Sequence, residues 1–279
     1  MAGVRRWAGR SDYRAHEGAN SGGANAVFWL EVLESRGELA LVRNIIAGAK
    51  RQVPQVTVEI EAALLYPLLR GKDVRRWRAI PSAHILLTQD PQLRRGIDLS
   101  RMEQDFPRTL VYLRQFEPML RQRAAYRRYF THTQGTEVQD RAPFYSMFDV
   151  GSYTLAPIKV VWHRMLTPLG AAVVTTSADL PIIPQETHAF IPCADLAEAH
   201  YLAAVLNSQP FNFAAKSYSP AGGKGFGSPH LLEHLRIPRF DAANETQVLL
   251  AKIGAECSEG DTQARLDLLS QIDKAVVTL

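Results

Sequence analysis

Basic residues occur together with aromatic residues in three segments of the chain, and these segments have the composition expected of an anion-binding surface. The first spans residues 70–77, the second residues 159–164 and the third residues 216–227. Lysine and arginine neutralise phosphates, and glycines let the backbone come close to a bound anion. Each segment alone also fits an ordinary solvated surface, but three in one chain favour a phosphate-bearing partner.

Motifs of nucleotide-dependent catalysis are missing from the sequence. No two prolines are adjacent, so the Asp/Asn-Pro-Pro-aromatic loop that holds a flipped amino base is absent, as is the spaced-glycine turn that binds a nucleoside cofactor. Gly223, Gly225 and Gly227 resemble a dinucleotide fingerprint but do not lie between a strand and a long helix. His163 has the chemistry of a catalytic base, but a hydrogen-bonded edge residue is the favoured interpretation.

Two cysteines, Cys193 and Cys257, are far apart and lack neighbours at metal-binding spacing, so neither a zinc site nor a disulfide framework is expected. The N-terminus is basic but has no apolar core of a signal peptide. No apolar run reaches the length that spans a bilayer. We therefore expect a cytoplasmic protein with no membrane partner and no metal.

Charge is distributed unevenly along the 279 residues, which carry a net charge of +4. Residues 66–81 hold five bases and one acid, whereas residues 241–279 hold seven acids and three bases. A basic segment and an acidic tail predict one surface that faces an anion.

Short strands alternate with helices in the hydrophobic pattern, which predicts an α+β (mixed α/β) fold with a mixed sheet, packed helices and a helical C-terminal tail. A bent helix is predicted over residues 105–130, with Pro107 in its first turn and a break at Pro118. Another helix begins near Ala199 and buries Tyr201, Leu202, Val205 and Leu206. The predicted strands cover residues 26–33, 83–88, 158–162, 171–176 and 189–191, and residues 60–69 read as a helical apolar patch.

Several motifs occur in an order that resembles the C-terminal target-recognition region of adenine-specific DNA methyltransferases, including those fused to nucleases in single-chain restriction–modification enzymes. Residues 66–77 (YPLLRGKDVRRW) look like the family's "P-x-L-R-G-x-D-I" block, and residues 157–162 (PIKVVW) look like its "P-K-I-V-W" strand. The other matching pieces are the glycine-rich turn at residues 18–28, Phe106-Pro107 with Tyr112, Leu113 and Arg123, the helix at residues 198–208, and Ile237-Pro238.

The resemblance implies recognition of duplex DNA by a domain over residues 14–240, between a disordered segment (1–13) and a helical tail (241–279). It implies no cofactor in this chain, because S-adenosylmethionine belongs to a catalytic domain that is not seen here. That domain is expected on a partner, a separate methyltransferase subunit, or to be lost. Two alternatives stay open: a self-sufficient methyltransferase subunit, and a protein-interaction module that uses the C-terminal helices.

The predicted DNA-binding residues come from the three basic segments. Lys72, Arg75, Arg76 and Lys224 are expected to position phosphates, with Arg70 beside them. The residues expected nearer the bases are Lys159, His163, Arg164, Lys216 and Ser219. No catalytic residue is predicted.

Overall fold

The structure is a computed structural model, and it describes residues 7–134, 137–218 and 226–279. The chain forms two compact units. The first unit consists of residues up to 18, residues 69–80 and residues 156–279, and the second consists of residues 19–68 and 81–155. Helices and sheets are present in both units, which confirms the α+β class.

The strands are β1 (His16–Glu17), β2 (Trp29–Arg36), β3 (Leu39–Asn44), β4 (Thr57–Glu61), β5 (Leu65–Leu69), β6 (Val74–Arg75), β7 (Arg78–Ala79), β8 (Ala83–Leu86), β9 (Gln89–Asp90), β10 (Arg95–Gly96), β11 (Thr131–Gln134), β12 (Glu137–Asp140), β13 (Lys159–His163), β14 (Ala171–Val174), β15 (Thr176–Ser177), β16 (Leu180–Pro181), β17 (Ile183–Pro184) and β18 (His188–Pro192). The α-helices are α1 (Asn25–Phe28), α2 (Leu99–Asp105), α3 (Pro107–Arg114), α4 (Glu117–Arg121), α5 (Ala124–Tyr129), α6 (Leu196–Asn207), α7 (Gln209–Tyr218), α8 (Glu245–Glu259) and α9 (Thr262–Val276). Short 3₁₀ helices cover Ala62–Leu64, Gly71–Asp73, Ser152–Leu155 and Pro229–Glu233.

A sheet packed against short helices forms the second unit. Its strands pair in the order β5-β8-β2-β3-β4, with antiparallel neighbours. The Glu61 carboxylate at the end of β4 accepts hydrogen bonds from the Thr109 N–H (2.8 Å) and hydroxyl (2.6 Å). Because free N–H groups at a helix start need acceptors, this carboxylate fixes the start of α3 on the sheet.

Four antiparallel strands in the order β1-β18-β13-β14 form the sheet of the first unit. One face carries Val160, Trp162, Ala189 and Ile191, which belong to a buried cluster that also contains the apolar face of α6. Tyr201, Leu202, Val205 and Leu206 are fully buried there, as their spacing predicted. Strands β1, β18, β13 and β14 pair antiparallel in the first unit, as do β5, β8, β2, β3 and β4 in the second.

The C-terminal helices pack into the first unit rather than trailing from it. Leu250, Ile253 and Cys257 of α8 lie in the same buried cluster as α6. Gly254 allows this contact, since a Cβ at that position would lie 2.3 Å from the His200 carbonyl oxygen. The predicted helical C-terminal tail is therefore present as the two helices α8 and α9.

Two local predictions need correction. Residues 7–13 are ordered, because Trp7 is 5% exposed and its ring meets Phe211 edge-on at 5.3 Å. Residues 60–69 form strands and one 3₁₀ turn instead of a helix, since β5 pairs with β8. A short apolar run fits both structures, and the strand partner decides between them.

Helix and strand boundaries also shift. The predicted helix over residues 105–130 is divided into α3, α4 and α5, and Pro118 lies in the first turn of α4 instead of at an internal break. Pro107 begins α3 as predicted. The strand predicted from residue 26 starts at Trp29, because residues 25–28 form one helical turn.

Candidate functional site

The first basic segment and Arg78, which follows it, form a 3₁₀ turn and a two-stranded hairpin that carry three exposed cations. We call Lys72, Arg75 and Arg78 the cationic hairpin; all three are exposed. Arg75 on β6 lies directly opposite Arg78 on β7. Like charges at facing positions of a β-ribbon repel each other. Within the described residues no ion pair involves any of the three, so the hairpin has cationic groups available for an external anion.

Two residues between these cations anchor the hairpin to the core of the first unit. The Arg76 guanidinium is half-buried and donates to the Asn207 carbonyl at the end of α6. Trp77 is 4% exposed and adopts a left-handed backbone conformation (φ +69°). Its backbone N–H donates to the Ala171 carbonyl at 2.8 Å. Arg76 was predicted to contact phosphate, but its side chain is turned inward and holds the hairpin in place.

The turn before the hairpin is closed by its own capping interaction. The Asp73 carboxylate accepts a hydrogen bond from the Arg70 N–H at 2.8 Å, and the Asp73 N–H donates to the Arg70 carbonyl at 2.8 Å. Arg70 is half-buried and makes further interactions of its own. The turn therefore fixes the backbone from which Lys72 projects.

Three polar side chains, His163, Gln185 and Thr187, lie beside Gly71, and the His188 ring packs against His163. We call these four residues the polar cluster. A Cβ placed on Gly71 would lie 3.4 Å from Gln185 Nε2, 3.6 Å from His163 Nε2 and 3.6 Å from Thr187 Oγ1. The pairing of β13 with β18 sets His163 opposite His188, with ring centroids 5.5 Å apart. The first basic segment and the end of the second thus meet at one place.

The hydrogen bonding of the cluster determines which atoms act as donors. His163 Nδ1 accepts from the Met165 N–H at 3.0 Å, and burial together with the charge of Arg164 lowers the pKa of His163. The neutral ring therefore carries its hydrogen on Nε2, toward Gly71. Gln185 Nε2 donates to Thr187 Oγ1, which leaves the Thr187 hydroxyl hydrogen able to donate elsewhere.

Beneath these donors lie buried polar atoms without partners. His188 is fully buried, burial lowers its pKa to about 3, and in the described chain neither ring nitrogen has a hydrogen-bond partner. The Gln185 Oε1 atom is likewise unpartnered among the described residues. Unpaired buried polar groups cost about 1–3 kcal/mol each and are concentrated at functional sites.

Arg164 supports the cluster from within the unit. It forms an ion pair with Glu17, and its Nη1 donates to the Glu186 carbonyl at 2.9 Å. The backbone N–H of Arg164 also donates to the Thr187 carbonyl at 2.9 Å. A direct base contact was predicted for Arg164, but its guanidinium is committed to fixing the turn that bears Thr187.

The prediction that Lys159 contacts DNA is wrong. Its side chain is fully buried, and Nζ donates to the carbonyls of Ala156 and Ile182, the latter at 3.1 Å. Burial lowers the pKa of Lys159 to about 7. Lys159, Val161 and His163 lie on the same face of β13. That face is buried at the Lys159 end and partly exposed at the His163 end.

Lys159 gives the protein a pH-dependent stability. The unfolded lysine has a pKa of about 10.4, so between about pH 7 and pH 10 the unfolded chain binds a proton that the folded chain lacks. Stability should therefore rise with pH in this window, by up to about 1.4 kcal/mol per unit, and be constant below it. We expect Lys159→Met to remove this slope in urea unfolding at several pH values, whereas the exposed Lys216→Met should retain it.

The third basic segment is fixed to the core at its far end. Phe226 is 3% exposed, and the Gly227 carbonyl accepts from Trp162 Nε1 at 2.7 Å. Trp162 is therefore a core residue. Lys216 is exposed in the last turn of α7. Ser219 and Lys224 lie outside the described residues.

Four residues of this site were missed by sequence reasoning: Arg78, Gln185, Thr187 and His188. The spacing of Arg75 and Arg78 across a two-residue turn is a signal for Arg78, once residues 74–79 are recognised as a hairpin. Gln185 and Thr187 lie more than a hundred residues from Gly71, and no local pattern marks them. Groups of three or more metal-ligating residues were not found among the described residues.

Comparisons with known proteins were made in sequence and in structure. The chain is similar to the type II methyltransferase M.NspV from Nostoc sp., with 26% identity over 152 residues, which cover 54% of this chain and 29% of that protein. Its structure resembles that of the type IIL restriction-modification enzyme MmeI in complex with DNA, with a TM-score of 0.50 and 12% identity, over 95% of this chain and 32% of that one. The structural likeness shows a shared fold.

The chain spans about a third or less of the length of each of these two proteins. No protein-family model matches it. Among the described helices, none combines the length and apolarity required to cross a membrane.

Proposed function

We propose that this chain is a target-recognition module that binds duplex DNA within a methyltransferase or restriction–modification system. The cationic hairpin would hold the phosphate backbone, and the exposed parts of the polar cluster would face base edges. Phosphate contacts set position and base contacts set specificity, so the two groups have complementary roles.

The observation that carries this proposal is the position of the polar cluster directly behind Gly71, one residue from the cationic hairpin. Side-chain donors such as His163 Nε2 and the Thr187 hydroxyl match acceptors on the major-groove edge of bases. Lys72 lies next to Gly71, so a backbone held by the hairpin would bring a groove close to these donors. Because Gly71 has no side chain, it leaves room for the DNA to come close to these donors.

The two similar proteins support the same interpretation. One is a methyltransferase and the other is a restriction-modification enzyme in complex with DNA. Methyl transfer would require S-adenosylmethionine, which in this proposal is held by a separate polypeptide or another domain. Calorimetric titration of this chain with S-adenosylmethionine should show no binding; tight binding would favour the alternative, a self-sufficient methyltransferase subunit.

Fluorescence anisotropy with duplex DNA tests the proposal. Selection from a random duplex pool should yield a preferred sequence that binds at least about 1,000-fold more tightly than random DNA at physiological salt. Affinity for both should fall linearly on a logarithmic salt scale. Absence of duplex binding at low salt would refute the function.

Gly71 provides a variant that separates specificity from general affinity. The backbone at Gly71 is not in the left-handed region, and a Cβ meets only ordinary contacts, so Gly71→Ala should fold and bind normally. Gly71→Leu should cover His163 Nε2 and the Thr187 hydroxyl, and reduce the preference for the selected sequence by about tenfold or more. Its salt dependence on random DNA should be unchanged. Retained preference in Gly71→Leu would show that the cluster does not read bases.

A partner-docking role for the C-terminal helices is the second candidate. A groove of about 980 Å³ between α7 and α9 is lined by the exposed apolar residues Phe213, Leu266 and Val277, with Asp273 and Lys274 among its polar residues. Exposed apolar grooves of this kind often bind protein partners. Co-purification of a partner that Phe213→Ser releases, without duplex binding by this chain, would favour this candidate.

A further inference from the structure

A second cationic site lies in the first unit, on residues that no basic segment of the sequence analysis included. The N-terminal segment and the 3₁₀ helix Pro229–Glu233 enclose a cleft of about 350 Å³. We call it the arginine cleft; it is lined by Arg10, Tyr13, Arg14, Ala15, Pro229, His230, Leu232 and Glu233.

The backbone of the cleft is rigidly held. The N–H groups of Gly9 and Ser11, on either side of Arg10, donate to the carbonyls of His234 (3.0 Å) and Leu232 (2.8 Å). Tyr13 is 5% exposed, and its hydroxyl accepts from the Phe240 N–H at 2.8 Å. The two walls are therefore fixed relative to each other, and the cations are mounted on a frame that need not be ordered on binding.

The charges in the cleft favour an anion. Arg10 and Arg14 are exposed, and the described ion pairs include neither of them. The carboxylate in the cleft belongs to Glu233. His230 Nδ1 contacts it at 3.0 Å, and this contact together with the charges of His234 and Arg10 lowers the pKa of Glu233. Arg10 and Arg14 line the same concave surface, and guanidinium groups bind phosphate through charge-assisted hydrogen bonds.

We propose that the arginine cleft binds a phosphate group, and that this phosphate belongs to the backbone of bound DNA. The assignment of the phosphate to DNA rests on the proposed function, whereas the binding of a phosphate group by the cleft does not. Arg10 and Arg14 would supply the donors, and the Glu233 carboxylate would oppose the anion. The cleft thus adds contacts beyond those of the cationic hairpin.

Salt-dependent anisotropy with duplex DNA tests the cleft. Arg10→Ala with Arg14→Ala should reduce the slope of log affinity against log salt by about 2, and raise the Kd about 30-fold at about 0.15 M salt. Glu233→Gln should lower the Kd, because it removes a negative charge beside the phosphate. The matched control, Arg101→Ala with Arg114→Ala, removes two exposed arginines that are paired with Asp105 and Glu103 and should change the slope little.

A second arm uses inorganic phosphate and pyrophosphate, titrated by calorimetry. Binding that Arg10→Ala with Arg14→Ala abolishes, with an unchanged DNA slope, assigns the cleft to a free phosphate rather than to DNA and overturns the backbone source. Unchanged behaviour in both arms overturns the site altogether. If the wild-type protein binds no duplex, the proposed function fails, while the phosphate arm still decides whether the cleft binds anions.

Discussion

Replacement of Lys72, Arg75 and Arg78 together by alanine is expected to weaken duplex DNA binding on the order of 100-fold at about 0.15 M salt. Each cation that neutralises a phosphate releases condensed counterions, so three contacts contribute about 2.7 units to the slope of log affinity against log salt. The variant should lose that part of the slope. It should bind selected and random sequences with similarly reduced affinity, because phosphate contacts carry no base information.

A charge-matched triple variant separates this surface from net charge. Arg101 and Arg114 are exposed and Arg43 is half-buried, and each is paired with one carboxylate, from Asp105, Glu103 and Glu31 respectively. Their replacement by alanine changes the formal charge by the same three units. If both triple variants lose binding equally, the effect comes from net charge, and the hairpin has no special part in the contact.

The same matched pair tests folding as well as binding. Surface cations of this kind contribute at most about 1 kcal/mol to stability, and the repulsion between Arg75 and Arg78 makes the hairpin variant neutral or slightly stabilised. Thermal unfolding should therefore show little change in either variant. A large loss of stability in the hairpin variant would mean that its binding defect cannot be assigned to phosphate contacts.

Arg123→Met is expected to lower the free energy of unfolding by about 3–5 kcal/mol. Arg123 is fully buried in the second unit and donates to three carbonyls: Leu120 (2.8 Å), Ser21 (2.8 Å) and Phe144 (2.6 Å). Burial lowers its pKa to about 10, so it remains charged at neutral pH. Methionine fills a similar volume but leaves all three carbonyls without donors.

Arg121→Met is the matched control for Arg123→Met. Arg121 lies two residues earlier on the exposed side and pairs with Glu117 and Asp140, so its loss should cost less than about 1 kcal/mol. If Arg123→Met fails to fold, Arg123→Lys should fold with intermediate stability, since it keeps the charge and part of the donors. A change of less than 1 kcal/mol for Arg123→Met in urea unfolding would contradict this role.

The sequence predicted elements well where a single physical signal dominated. Helix α6 follows from the spacing of Tyr201, Leu202, Val205 and Leu206, and β13 follows from a compact run of apolar and β-branched residues. Residues 60–69 were assigned wrongly because the deciding contact is the pairing of β5 with β8, which no local pattern encodes.

The sequence predicted those features of the site that depend on neighbouring residues, but not those that depend on contacts between residues far apart in the chain. Exposure of Lys72 and Arg75 follows from a turn rich in charge, whereas the inward direction of Arg76 depends on the end of α6, about 130 residues away. Lys159 looked like its neighbours in sequence, and only the packing around β13 shows that it is buried. Gln185 and Thr187 reach Gly71 through the register of β13 and β18.

The strand order of the first unit means that strands far apart in sequence must pair, so an early strand waits for its partner during synthesis. β1 pairs with β18, which emerges from the ribosome about 170 residues later than β1. Closing a loop of that length costs about 4–5 kcal/mol of chain entropy. At about 5–20 residues per second, Trp7 waits about 10–40 s before its partner Phe211 is translated. During that interval the Trp7 ring lacks the aromatic contact that buries it in the folded protein.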